Sequence, residues 1–280
     1  MTCVVHIGLD CYNALIMLAT ERLPVQNTRE EVGASALREW LDTHGIKAVL
    51  FDLDDTLLNT HKKHRELQAQ FIASVAQANP ELDPKELSDT FNSLSDHVYA
   101  THSVHRERWN AVVSLMAEKY GARVTPALYE AKDILYRVYD EPAELMPGAV
   151  ETLEQFHQAA AHLGVVTHAD EAWTAVKLDG HNIRKYFDTV TLADPWGYKG
   201  PEDWKRAIDT LGVRPEDVLV IGDNLTGDIL AARSAGVAHT VWLPSPWDLY
   251  RNGGIPDDVI RADAIADVIP ALFASPALRH

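Results

Sequence analysis

Between residues 60 and 142 apolar side chains recur at helical spacing, and polar residues fill the positions between them. Leu67, Phe71, Ile72 and Val75 make one stripe. A second helix opens at Asp83-Pro84-Lys85-Glu86, where an N-cap residue is followed by proline in the first turn and glutamate three positions on. Its stripe is Leu87, Phe91, Leu94 and Val98. A third stripe runs through Trp109, Val112, Val113 and Met116 to Gly121, and a fourth follows Thr125-Pro126 with Ala131, Ile134, Leu135 and Val138. Four amphipathic helices with short connections predict a helical bundle.

Either side of this stretch the pattern differs. Thr28 and Glu31 form a capping box ahead of Val32, Leu37, Trp40 and Leu41, and Gly45 ends that helix. The unbroken apolar run Ala48-Val49-Leu50-Phe51 suits a buried parallel strand. After Met146-Pro147-Gly148, short apolar runs at 163–166, 189–192, 218–221 and 240–243 alternate with helical segments such as 204–211 and 229–235. That alternation predicts an α/β fold with a Rossmann-like, doubly wound parallel sheet, into which the four-helix cap domain is inserted after the first strand. The expected division is an N-terminal helical extension over 1–45, a core over 46–59 and 143–280, and a cap over 60–142.

Composition narrows the function. With 280 residues, 46% hydrophobic and 24% charged, the chain is an ordinary globular protein with room for a core and a smaller second domain. A net charge of −16 argues against nucleic acid or an anionic membrane as partner, and it suits small-molecule chemistry with divalent cations. Two cysteines, Cys3 and Cys11, are too few for a disulfide framework, so the expected location is cytoplasmic. The apolar stretch 4–19 has no basic leader before Arg22 and is too short to span a membrane; it reads as a buried or partner-facing helix. Oligomeric state is not legible.

In open α/β sheets, ligands bind beyond the carboxyl ends of the strands. Here those ends are polar. The first strand runs into Asp52-Leu53-Asp54-Asp55-Thr56, the strand at 163–166 into Thr167-His168, and the strand at 218–221 into Gly222-Asp223-Asn224, with Asp228 five residues after Asp223. Lys199 lies in the loop between the last two. Carboxylates converging from separate strands with a hydroxyl and a lysine are the parts of a magnesium-dependent phosphoryl-transfer site, because hard oxygen ligands hold the ion and the ion offsets their repulsion.

The order and spacing of these residues resemble the haloacid dehalogenase superfamily, on its phosphatase side. Asp52-Leu53-Asp54-Asp55-Thr56 matches the family's Asp-x-Asp-x-Thr motif, Thr167 its second motif, Lys199 its third, and Gly222-Asp223 with Asp228 its acidic fourth. The resemblance covers roughly 46–245, and the inserted helices resemble a C1 cap. It implies that Asp52 attacks phosphorus and that Asp54 exchanges protons with the leaving alcohol and water. It also implies a Mg2+ ion held by Asp52, Asp54 (through its backbone carbonyl) and Asp223, with Asp228 close by as a supporting ligand or as a group behind the ligands. Thr167, His168 and Lys199 would meet the phosphate of a small phosphorylated metabolite. Thr56 is read as bracing the first loop, and Asp55 as pointing away from the metal.

Asp54 favours ester hydrolysis over dehalogenation, since an oxygen leaving group needs a proton and a halide does not. A phosphomutase using the same aspartyl-phosphate, and a non-catalytic binder of phosphorylated ligands, are the alternatives. Two positions depart from the family pattern: Lys199 is followed by Gly200-Pro201 where Lys-Pro is common, and His168 stands where asparagine is usual. The remaining histidines of the insertion, His61, His64, His97, His102 and His105, read as solvated helix surface. The basic run from His61 to Arg65 reads either as an exposed helix start or as a patch attracting phosphate, and Arg106, Arg108 and Trp109 as bundle surface or substrate contacts. Trp196, Tyr198 and Trp204 read as core packing around the Lys199 loop.

Overall fold

The computed structural model describes residues 34–159, 161–245 and 254–275. The helix start at Thr28, both cysteines and the apolar stretch 4–19 lie outside these residues. The first described element is helix α1 (Ala34–Thr43), which buries Leu37, Trp40 and Leu41. Strand β1 (Ala48–Phe51) follows and is buried at every position.

Six parallel strands form the sheet: β1, β2 (His162–His168), β3 (Thr189–Ala193), β4 (Val218–Gly222), β5 (His239–Trp242) and β6 (Ile260–Arg261). Their spatial order is β3-β2-β1-β4-β5-β6. The order reverses at β1, so the crevice between the ends of β1 and β4 is the topological switch point, where ligands of such sheets bind. Phe51 lies opposite Val165 on one side and Ile221 on the other. Asp52, Thr167 and Asp223 therefore leave three adjacent strands at nearly the same height.

The strands run longer than their apolar cores suggest. β2 extends through Thr167 and His168, which pair with Leu192 and Ala193, so these two polar residues belong to the sheet rather than to a following loop. The two-residue β6 has no distinct sequence signal. Around the sheet lie α6 (Ala149–Gln158), α7 (Glu171–Gly180), α8 (Pro201–Leu211), α9 (Ala231–Ser234) and α10 (Val268–Ala274). The helix expected at 229–235 starts earlier, as a π turn over Leu225–Leu230. Asn224 supports that start, its side-chain oxygen accepting from the N–H groups of Thr226 and Gly227 at 3.0 and 2.8 Å.

Between β1 and β2 come α2 (Thr60–Ala78), α3 (Pro84–His102), α4 (Arg108–Tyr120) and α5 (Thr125–Asp140). Their stripes meet in one apolar cluster that includes Phe71, Phe91, Trp109, Met116, Leu128 and Leu135. The cluster continues into α7 through Trp173, whose indole N–H donates to Val138 O at 2.8 Å. The chain leaves and re-enters the sheet region along paired connectors: Asn59 N donates to Glu144 O, and Met146 N to Leu57 O, both at 2.8 Å. Ion pairs brace the same junction, Lys62 to Glu144 at 2.6 Å and Lys63 to Glu141 at 2.5 Å. The basic run at the start of α2 thus spends its two lysines on local carboxylates, as an exposed helix start would. No helix among the described residues is long and apolar enough to cross a membrane.

Candidate active site

The tight turn after β1 sets the first loop. Asp55 adopts φ 59°, a left-handed conformation that aspartate tolerates better than most residues. Its carboxylate accepts from His61 N at 2.8 Å, at the start of α2. Asp55 therefore serves the local backbone. Thr56 is buried, but its hydroxyl has no hydrogen-bond partner among the described residues, so the bracing expected of it is by packing alone.

Asp52, Asp223 and Asp228 come together as a buried acidic cluster. One oxygen from each can be chosen so that all lie within 4.8 Å of one another. Asp228 reaches the cluster from the π turn, and its Oδ2 is fixed by the N–H of Asn224 at 2.9 Å. Lys199 Nζ lies against Asp52 Oδ1, 2.5 Å from Asp228 Oδ1 and 3.2 Å from Val166 O. Gly200, the added residue of the third motif, occupies the N-cap of α8, its N–H donating to Asp203 Oδ2 at 2.9 Å, with Pro201 in the first turn. The insertion is absorbed by the cap, and the lysine still reaches the strand ends.

The electrostatics follow from the count of charges. Burial pushes the Asp52 carboxyl up to about 7; Lys199 opposes this, while Asp228 and Asp54 add to it. Burial likewise raises Asp223, with Asp52 and Asp228 reinforcing the shift. Burial pulls Lys199 down, yet Asp228 and Asp52 together overcome it and hold the ammonium well above its ordinary value. The two directions agree physically: one ammonium serves three carboxylates, so the lysine is over-compensated and the carboxylates are under-compensated. A divalent cation matches the remaining charge, and buried oxygen donors are the right type for Mg2+.

Two buried polar atoms at the ends of β1 and β2 are unsatisfied. Asp52 Oδ2 and Thr167 Oγ1 have no hydrogen-bond partner among the described residues. Buried hydroxyls and carboxylates are normally bonded, and leaving one bare costs roughly 1–3 kcal/mol. The hydroxyl of Thr167 is thus not satisfied by local backbone. His168 differs: its Nε2 meets Asp194 O at 2.9 Å and Ser103 Oγ at 3.4 Å, and burial, then Lys199, lower its pKa. The imidazole bridges the third-motif loop and the residue that ends α3.

The match to the family model for haloacid dehalogenase-like hydrolases covers residues 46–236, the whole span that carries these side chains. The chain belongs to the haloacid dehalogenase-like hydrolase family. It is 30% identical over 198 residues to a glyceraldehyde 3-phosphate phosphatase from Methanopyrus kandleri, covering 69% of this chain and 82% of the relative. It is 29% identical to a phosphoglycolate phosphatase from Thiobacillus denitrificans, over 68% and 80% of the two chains. A haloacid dehalogenase-like family hydrolase from Xanthomonas campestris shares the fold, with TM-score 0.63, 18% identity, and coverage of 84% of this chain and 99% of that one.

This member of the family holds Asp54 with two partners that have no motif in the sequence. Thr60 Oγ1, at the first residue of α2, donates to Asp54 Oδ1 at 2.5 Å. Lys177 Nζ, from α7, lies 2.6 Å from Asp54 Oδ2. Burial raises the Asp54 carboxyl, but Lys177 and the hydrogen bonds from Lys177 and Thr60 outweigh it and hold the group below its ordinary value. The only sequence signal for Lys177 is a lysine among Trp173, Thr174 and Leu178 on the buried face of α7.

Several aromatic and histidine expectations need correction. Trp204 is fully buried, but Trp196 is 47% and Tyr198 64% exposed, because the loop that aims Lys199 inward turns its aromatic neighbours outward. They meet the insertion instead: Trp196 stacks on His105 at 3.8 Å between ring centres, and Tyr198 faces Tyr99 at 6.1 Å. His64 is not solvated surface. It packs 5.7 Å from the Trp109 ring, and burial, then Arg108, depress its pKa to about 3.

Proposed function

We propose that the chain is a magnesium-dependent phosphomonoester hydrolase acting on a small phosphorylated metabolite. The observation that carries this reading is the pair of bare buried atoms, Asp52 Oδ2 and Thr167 Oγ1, at the ends of the adjacent strands β1 and β2, with the Lys199 ammonium on the same Asp52 carboxylate. A phosphoryl group accepts from Thr167 and Lys199 and presents its phosphorus to Asp52. The phosphatase names of the relatives, one acting on glyceraldehyde 3-phosphate and another on phosphoglycolate, support the same substrate class.

On this reading an Asp52 oxygen bonds to phosphorus as the phosphorus–alkoxide bond breaks, and the departing oxygen takes a proton from Asp54. The Asp54 carboxyl is ionised beside Lys177 in the free protein and has to take up that proton as the substrate's negative charge enters. Water then gives a proton back to Asp54 and attacks the aspartyl-phosphate, releasing inorganic phosphate and restoring Asp52. Asp52, Asp223 and the Asp54 backbone carbonyl would hold Mg2+, with Asp228 orienting Lys199 beside them. The ion supplies positive charge against that of the transferring phosphoryl group. The helices of α2 to α5 form a cap that closes over the site and reads the leaving group.

Phosphate release is the test, measured over 4-nitrophenyl phosphate, sugar phosphates, nucleotides and phosphoglycolate-like acids, with magnesium and with EDTA. The reading requires magnesium-dependent turnover that Asp52→Asn abolishes. Absence of turnover across the panel would sink it in favour of a binding role.

A further inference from the structure

Lys177 has no part in the mechanism so far, although it is the most deeply buried lysine beside the site, 1% exposed. It lies on the face of α7 that carries Trp173, Thr174 and Leu178 inward, among apolar neighbours that a leucine or methionine would also suit. Burying an ammonium costs several kcal/mol even after relaxation, and replacing buried ion pairs by apolar residues is often neutral or stabilising. Stability alone therefore does not account for a lysine here.

The geometry gives it one direction to act. Trp173, one turn before Lys177 on the same helix, lies with its ring centre 3.2 Å from Nζ. That ring cannot swing away, because its N–H is bonded to Val138 O. With an aromatic face behind it, the ammonium is aimed at Asp54 Oδ2, 2.6 Å away. Asp54 Oδ1 takes its bond from Thr60, a neutral hydroxyl that can rotate and share a proton.

We propose that Lys177 is a positioning residue which fixes Asp54 through Oδ2, leaving Oδ1 as the oxygen that exchanges protons with the leaving alcohol and the attacking water. This assignment rests on the phosphatase reading above. A buried charge-assisted bond held against an indole gives the orientation that proton transfer needs, since a small misplacement of a catalytic group costs large factors in rate. The consequence is specific to the leaving group. An alkoxide needs the proton from Asp54, whereas 4-nitrophenolate leaves readily without it.

The test is Lys177→Met, assayed with magnesium on 4-nitrophenyl phosphate and on the fastest alkyl phosphate of the panel. General acid–base catalysis is worth about 10²–10⁴-fold. The expected result is a fall in kcat/KM, which runs only through release of the alcohol, of about 100-fold for the alkyl ester and under about tenfold for the nitrophenyl ester. The water step is common to both esters and lowers both kcat values. Equal losses of kcat/KM for both esters, or no loss, overturn the assignment while leaving the phosphatase reading intact. No turnover of any ester by the unmodified protein overturns both. If Lys177→Met does not fold, Lys177→Gln is read for the same bias between esters, and an unchanged ratio overturns the assignment.

Discussion

Lys199 Nζ lies 2.5 Å from Asp228 Oδ1, and both groups are sealed from solvent. The same ammonium contacts Asp52. Removing it by Lys199→Met leaves buried carboxylates without their partner, which typically costs about 3–5 kcal/mol. The variant is expected to lose activity by at least about 10³-fold and to melt well below the parent in EDTA. Millimolar magnesium should recover part of that loss, because the ion takes over the charge balance. Thermal unfolding with and without magnesium checks this; equal losses under both conditions would separate the cluster from metal binding.

Asp52→Asn should act in opposite directions on activity and stability. The folded protein holds the Asp52 proton up to about pH 7, and the unfolded chain releases it near the ordinary value of 3.8. Between these the folded state binds more protons, so the contribution of Asp52 to stability falls as pH rises through the window. At pH 8 in EDTA, Asp52→Asn removes that unfavourable charge and should raise stability by about 1–3 kcal/mol while abolishing turnover. The gain should vanish at pH 4. Denaturant midpoints at the two pH values decide it.

His64 carries the reverse sign. Its folded pKa is depressed to about 3 against an ordinary 6.5, so the unfolded chain binds the proton first as pH falls. Stability from neutral His64 is present above pH 6.5 and is lost progressively as pH drops toward 3. His64→Phe, which keeps a ring beside Trp109, should flatten the stability–pH curve below pH 6.5 by an amount on the order of a few kcal/mol. A curve of unchanged slope would mean that His64 titrates normally in the folded state.

Much of this is legible in the sequence alone. The runs 48–51, 163–166, 218–221 and 240–243 are buried on both faces, so composition alone marks them as parallel strands, while the edge run 189–192 is half-buried. The bundle stripes survive because α2 to α5 pack mainly on one another. Asp52, Thr167, Lys199, Asp223 and Asp228 announced themselves because each sits at a strand end or beside one. Lys177 did not, since its partner is 123 positions away and one lysine on an amphipathic helix reads as surface. His64 was missed for a similar reason: whether a helical histidine is solvated depends on what the neighbouring helix places over it. Trp196 and Tyr198 were misread because apolar character says nothing about which way an irregular loop turns.

Gly222 offers a test of the cluster that touches no charged group. It ends β4 immediately before Asp223, and a Cβ placed on it would lie 2.5 Å from both Cβ and Oδ2 of Asp228. No side chain fits at that spacing without moving Asp228, whose Oδ2 is tied to Asn224 N and whose Oδ1 holds Lys199. The backbone at Gly222 is ordinary extended strand, so the whole penalty is steric. Gly222→Ala is therefore expected to fold, since one shifted side chain at a sheet end costs about 1–3 kcal/mol. Displacing Asp228 also releases Lys199 from its second partner. The expected result is a drop in kcat of about 100-fold or more and a weaker magnesium dependence, read as a higher metal concentration for half-maximal rate. Activity near that of the parent would show that the site tolerates displacement of Asp228, and that its contact with Lys199 is not what aims the lysine.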